Sequence, residues 1–200
     1  MITFLVLNGP NINMLGKRQP DIYGSETYQD LVDQITDRCK ELGIHTIFFQ
    51  SNHEGDLVDA IQESQDTYDG IIFNPAAYTH TSIALYDALT SVTTPCIEVH
   101  ISDPDQREEF RRVNFVRPGC KGTVAGKGRV GYLMAVEELI KILMRARGVT
   151  AEELLGIDPE NDEDEKNKVI IFLHTNPPVE ETPAEENTDA TAEEITEEAL

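Results

Sequence analysis

Five short apolar runs rich in β-forming residues punctuate the first 125 positions: Ile2–Leu7, Thr46–Gln50, Gly70–Phe73, Cys96–Val99 and Thr123–Ala125. Between them the apolar period changes from strand-like to helical. Leu31, Ile35 and Cys39 recur every four residues, and Leu42 continues their face. Leu57, Val58 and Ile61 mark a second helix within 56–65, and Ile83, Leu85 and Leu89 a third within 82–89. The fourth, within 130–144, carries Leu133, Val136, Leu139, Ile140 and Leu143. Strands that alternate with helices predict βαβ units and a parallel sheet with helices on both faces. Phe4-Leu5-Val6-Leu7 has no polar alternation, as a strand covered on both sides requires.

Five strands of this kind predict the order 2-1-3-4-5, a flavodoxin-like α/β fold. A short helix is expected over Thr150–Leu155, and Val169–Leu173 has strand character without an assigned place. Composition then divides the chain. Residues 1–150 hold 14 basic and 20 acidic groups, whereas residues 151–200 hold 2 and 17 and carry −15 of the total −21. After Pro177 there is no aromatic residue, and the scattered apolar ones bury too little surface to offset ordering entropy. A catalytic-size domain over 1–147 and an acidic, largely disordered extension over 148–200 are therefore expected.

Charge and cysteine usage narrow the class. The acidic balance disfavours nucleic acid as a partner. Cys39, Cys96 and Cys120 are too widely spaced for a disulfide framework or a zinc pattern, which suits a reducing compartment. No apolar run approaches the ~20 residues of a membrane span, and the N-terminal residues carry no basic leader. A soluble, cytoplasmic protein is expected.

The polar chemistry collects where strands end. Asn8-Gly9-Pro10-Asn11 follows the first strand, Ser51-Asn52-His53-Glu54-Gly55 the second, and Asn74 through Ser82 the third. The fourth ends in Glu98-Val99-His100-Ile101-Ser102, with Arg107 and Arg111 close behind. Ligands of open parallel sheets bind at that rim. The first loop runs to Tyr23, longer than usual, and reads as a lid or as a disordered segment. Arg18 beside Tyr23 would favour the phenolate and make a base; alternatively, Tyr23 packs as a loop aromatic and Arg18 is solvated. Glu98 and His100 share one side of a strand, giving either a tuned acid or a satisfied core histidine. Thr79 and Ser82 look like helix caps around His80, and Asn74 satisfies a turn before Pro75 or faces a ligand. Arg107 and Arg111 bind a carboxylate or pair with Asp105, Glu108 or Glu109. No clustered metal ligands and no phosphate loop are present in the sequence.

These blocks, in this order, resemble the type II 3-dehydroquinate dehydratases: Leu7–Asn11, Tyr23-Gly24, Phe49–Gly55, Asn74–Ser82 and Glu98–Ser102, within about residues 2–144. The resemblance implies conversion of 3-dehydroquinate to 3-dehydroshikimate and water, in the shikimate pathway, by anti elimination through an enolate and without metal or cofactor. It makes Tyr23 the base, Arg18 the lid residue that keeps it ionised, and Asn74 the amide holding a water at the developing oxyanion. His100 becomes the acid, oriented by Glu98. Asn11, His80 and Arg111 fall around the ring hydroxyls, the Ile101 and Ser102 backbone on the substrate carboxylate, and Arg107 in the lid region. Asp87 matches a residue that reaches a neighbouring subunit, which implies a homo-oligomer, a dodecamer built from trimers. No lysine falls within the matched blocks except Lys17 on the lid, so imine chemistry is not expected. Arg112-Val113-Asn114 and Asp103 depart from the family pattern and touch hydrogen bonding around the site; the acidic extension lies outside it.

Overall fold

In the computed structural model, residues 1–17 and 26–156 are described. Five parallel strands form one sheet in the order β2-β1-β3-β4-β5, with β1 Thr3–Asn8, β2 His45–Gln50, β3 Gly70–Asn74, β4 Cys96–His100 and β5 Gly122–Ala125. The sheet and its order are those expected from the apolar runs. The helices are α1 Tyr28–Glu41, α2 Glu54–Glu63, α3 Ile83–Ser91, α4 Val130–Arg147 and α5 Ala151–Leu155.

Alternation along each strand builds two cores. Phe4 and Val6 of β1, Ile72 of β3 and Val99 of β4 join Leu31, Ile35, Leu139 and Leu143 from α1 and α4. Leu5, Leu7, Ile71 and Phe73 join Leu57, Ile61, Leu85 and Leu89 from α2 and α3 on the other face. The helix starts are fixed locally. Thr27 and Asp30 close a reciprocal capping box on α1, and the Ser82 hydroxyl accepts from the Leu85 amide at the start of α3. Ile83 does not join the apolar face expected of it. At the first residue of α3 it lies outside the sheet's cover and is 57% exposed. Strand β2 is an edge and is only half covered, with Ile47 and Phe49 exposed.

The register levels the strand ends that matter. Asn8 of β1 pairs with Asn74 of β3 on one side and Gln50 of β2 on the other. Just beyond, the Gly9 amide donates to the Asn74 carbonyl at 2.7 Å. A Cβ on Gly9 would lie 2.5 Å from the Pro75 carbonyl oxygen, so only glycine lets these two loops meet. Past Gly148, which ends α4 in the left-handed conformation, α5 docks Ala151 into the core. Val169–Leu173 and the acidic residues after Gly156 lie outside the described residues. Among the described residues no helix is long and apolar enough to cross a membrane.

One buried charge is not part of the strand-end chemistry. Glu137 on α4 is 3% exposed. Burial pushes its carboxyl up to about 7, against the pull of Lys141 and Arg38. The folded chain thus holds this proton more tightly than the unfolded chain, and loses stability as pH rises from the ordinary carboxylate range through 7. Glu137→Gln is therefore expected to raise the melting temperature at pH 8 and to change it little at pH 4.5. An equal gain at both values would contradict a burial-driven shift.

Candidate active site

A cavity of about 710 Å³, counting the space open to solvent, sits at the carboxyl ends of β1, β3 and β4. Eight residues expected at the site line it: Asn11, Asn74, His80, His100, Ile101, Ser102, Arg107 and Arg111. The structure brings them together from three strand ends and the segment after β4. Glu98 stands directly behind His100. Asp87 does not reach this cavity; it lies exposed on α3. Arg18 and Tyr23 lie outside the described residues.

The floor of the cavity is organised by Glu98, a fully buried carboxylate. Its Oε1 accepts from Thr79 Oγ1 at 2.6 Å, His100 Nε2 at 2.8 Å and Asn114 Nδ2 at 2.9 Å. Its Oε2 accepts from Asn114 Nδ2 and from Thr123 Oγ1, each at 3.1 Å, with Arg117 Nε at 3.7 Å. Burial alone would raise its pKa, but the bonds from His100, Thr79 and Asn114, together with the His100 charge, hold it down at about 2. Glu98 is thus an ionised acceptor and orients His100. With Nε2 donating to Glu98, the second ring nitrogen, Nδ1, is the one available to the cavity.

Opposite functions fall to the second histidine. His80 Nδ1 donates to the Val113 carbonyl at 2.7 Å, so Nε2 is the acceptor of that ring. Burial, assisted by Arg111 and His100, lowers its pKa below the ordinary value, which keeps it neutral at neutral pH. Thr79 does not cap a helix as its sequence position suggested. Its hydroxyl is turned inward to Glu98, and Ser82 alone caps α3.

The cations are held by a shared partner. The Glu108 carboxylate lies 2.8 Å from Arg111 Nε and 3.5 Å from Arg107 Nε. The segment is not a continuous helix; two short 3-10 turns, Pro104–Gln106 and Glu109–Arg111, set the two guanidinium groups on the cavity wall. Two cations on one wall suit an anionic ligand.

A buried amide–phenol chain, invisible to spacing arguments, fixes Asn74. Its Nδ2 donates to the Tyr132 hydroxyl at 2.8 Å, and that hydroxyl donates to Asn8 Oδ1 at 2.7 Å. Asn74 Oδ1 accepts from the Ala76 amide at 3.1 Å. An amide nitrogen carries two hydrogens, so one remains for the cavity that Asn74 lines. Among the described residues, the two non-glycine positions with positive φ are Asn11 at 68° and Ala76 at 52°, and both line this cavity. Left-handed backbone at such residues is costly and collects where a ligand must be met. Asn11 is held there from the loop after β2, its backbone amide donating to Asn52 Oδ1 at 2.9 Å.

Tyr132→Phe is expected to destabilise the chain by about 1–3 kcal/mol, because it takes from the buried Asn74 Nδ2 its acceptor and from Asn8 Oδ1 its donor. Urea unfolding at constant pH measures it. An unchanged midpoint would mean that Asn8 and Asn74 satisfy each other directly.

Residues 2–140 match the family model described as dehydroquinase class II. A 3-dehydroquinate dehydratase of Bacillus pumilus is 50% identical over 137 residues, covering 68% of this chain and 93% of its own. One from Caldicellulosiruptor saccharolyticus is 49% identical over 144 residues, 72% of this chain and 99% of its own. The crystal structure of a type II dehydroquinase from Butyrivibrio crossotus superposes with a TM-score of 0.68 at 48% identity, covering 69% of this chain and 97% of its own. Matched by the family model over residues 2–140 and in sequence and fold by its relatives, the chain belongs to the class II dehydroquinase family.

Proposed function

We propose that this chain removes water from 3-dehydroquinate to give 3-dehydroshikimate, by anti elimination through an enolate. The observation that carries this reading is the ionised, fully buried Glu98 holding His100 at the wall of a cavity that also bears two arginines. Abstraction of the proton beside the ketone is assigned to Tyr23, kept ionised by Arg18 on the loop after β1. The enolate oxygen is met by a water on the remaining Asn74 N–H. The hydroxyl leaves as water when His100 Nδ1 donates its proton, and Glu98 stabilises the imidazolium that gives it.

Binding follows the charge. The substrate carboxylate sits on the backbone of Ile101 and Ser102 at the end of β4, with Arg107 supplying positive charge. Asn11, neutral His80 and Arg111 meet ring hydroxyls. The step needs neither metal nor cofactor and no imine. We place the reaction in the shikimate pathway and in the cytoplasm. The catalytic domain is assigned to 1–147 and the acidic extension to 148–200.

The working form is proposed to be a homo-oligomer, a dodecamer of trimers, in which Asp87 reaches a neighbour's cavity. Asp87 is exposed on α3, and Ile83 on the same helix is 57% exposed. Phe110 and Val113, on the cavity-wall segment, are 67% and 50% exposed. An apolar surface of this kind next to a site suits a second copy of the chain.

The test is the growth of enone absorbance when the full-length protein meets 3-dehydroquinate, with chelator-treated and borohydride-treated samples alongside. Turnover is expected to survive both treatments. Tyr23→Phe is expected to lower kcat by at least about a hundredfold with the fold intact, and Arg18→Ala to collapse the rate and move its pH profile upward. A wild-type protein that is folded and inactive, or a borohydride-sensitive one, would overturn the reading.

A further inference from the structure

The segment after β4 does two things at once. Its first part carries Arg107 and Arg111 on the cavity wall, and its last part returns to β4 from behind. At the return, Asn114 places its amide nitrogen between the two oxygens of Glu98, at 2.9 and 3.1 Å. Its carbonyl oxygen accepts from the Arg117 amide at 2.7 Å and so fixes the turn Arg117–Gly119. That turn in its place brings Arg117 Nε to 3.7 Å from Glu98 Oε2. One side chain therefore bonds both the buried carboxylate and the backbone of the turn that brings a guanidinium to it.

Building on the dehydratase reading, we infer that Asn114, with Arg117 behind it, is a positioning residue of the Glu98–His100 pair and links the arginine-bearing wall to the acid. Thr79 and Thr123 hold Glu98 from the turn after β3 and from β5, but neither belongs to the segment that carries the two arginines. Asn114 does. Motion of the arginine wall is transmitted through its amide to the carboxylate, and from there to the ring that donates the proton. Low dielectric around the fully buried Glu98 makes each of these bonds count for more than it would in water. Among the described residues, charged and titratable groups beside the pair are His80 from the turn after β3, Cys96 on β4 and Arg117 from the segment itself. Arg107 and Arg111 share the cavity wall with His80. Arg117 approaches Glu98 at Oε2, whereas His100 bonds Oε1.

The experiment uses full-length protein with two readouts. NMR titration of the His100 ring, assigned by its loss in His100→Gln, needs no substrate. Steady-state kinetics against pH needs 3-dehydroquinate. Asn114→Asp adds a carboxylate beside Glu98 and is expected to raise the His100 titration midpoint by about one pH unit or more. Arg117→Gln removes a cation from the same carboxylate and is expected to raise the midpoint by a smaller amount. It serves if Asn114→Asp does not fold, since that side chain is 43% exposed. Asn114→Ala is expected to lower kcat about tenfold with KM within about threefold, as misplacement of a reacting group does. Asn114→Ser, which keeps one donor, is expected to recover most of the loss. A folded Asn114→Asp or Arg117→Gln whose His100 titration superposes on wild type would overturn the inference. So would an Asn114→Ala that raises KM alone. A wild-type protein without turnover sinks the dehydratase reading, and the substrate-free titration still decides the link.

Discussion

A carboxylate with no exposure to water must either give up its charge or be surrounded by donors, and Glu98 is surrounded. Three side chains from three different elements donate to its oxygens besides His100, and a guanidinium stands behind them. That constraint reaches through the rest of the site. It fixes which nitrogen of His100 faces the cavity. It turns Thr79 away from the helix end and pulls the segment after β4 back against the sheet. It also draws β5 into the site through Thr123, although no β5 residue lines the cavity. The donors keep the charge on the carboxylate, and the charge gives the imidazole its orientation and its partner.

The sheet supplies the geometry for this arrangement. Parallel strands all end on one rim, and the register that levels Asn8, Asn74 and Gln50 sets three amides in a row there. Gly9 permits the loops after β1 and β3 to touch, and Asn11 and Ala76 accept left-handed backbone beside the cavity. Tyr132, from the helix beneath, ties Asn8 to Asn74 across the strands. Rigid backbone thus sits at the β1 and β3 side, while the arginines ride on short 3-10 turns at the β4 side. Cations therefore stand on one wall of the cavity and neutral amides on the other.

Much of this was legible in the sequence, because the fold is written in periods that act locally. Runs such as Phe4–Leu7 and the i, i+4 series Leu31, Ile35, Cys39 place strands and helices without knowledge of their neighbours. The strand-end clusters located the rim for the same reason, and Glu98 and His100 share a side through simple alternation. What spacing cannot carry is partnership across the chain. Asn114, Thr123 and Thr79 lie 16 to 25 residues from Glu98. Tyr132 sits 58 residues from Asn74 and 124 from Asn8. Thr79 read as a cap because a threonine before a helix usually is one, and a buried carboxylate made the stronger claim on it. Asn114 showed only as a departure from a family pattern. Ile83 had the right period and the wrong surroundings, since the first turn of α3 projects beyond the sheet.

The account puts the acid, His100, on the β4 side of the bound ring and the base on the loop after β1, across the ring from it. Turnover of 3-dehydroquinate carrying a single deuterium at the carbon beside the ketone tests that placement directly. If acid and base work from opposite faces, deuterium on the face opposite the departing hydroxyl is lost, and deuterium on the same face is kept in the product. Loss of the same-face deuterium would contradict it, because base and acid would then act from one side of the ring.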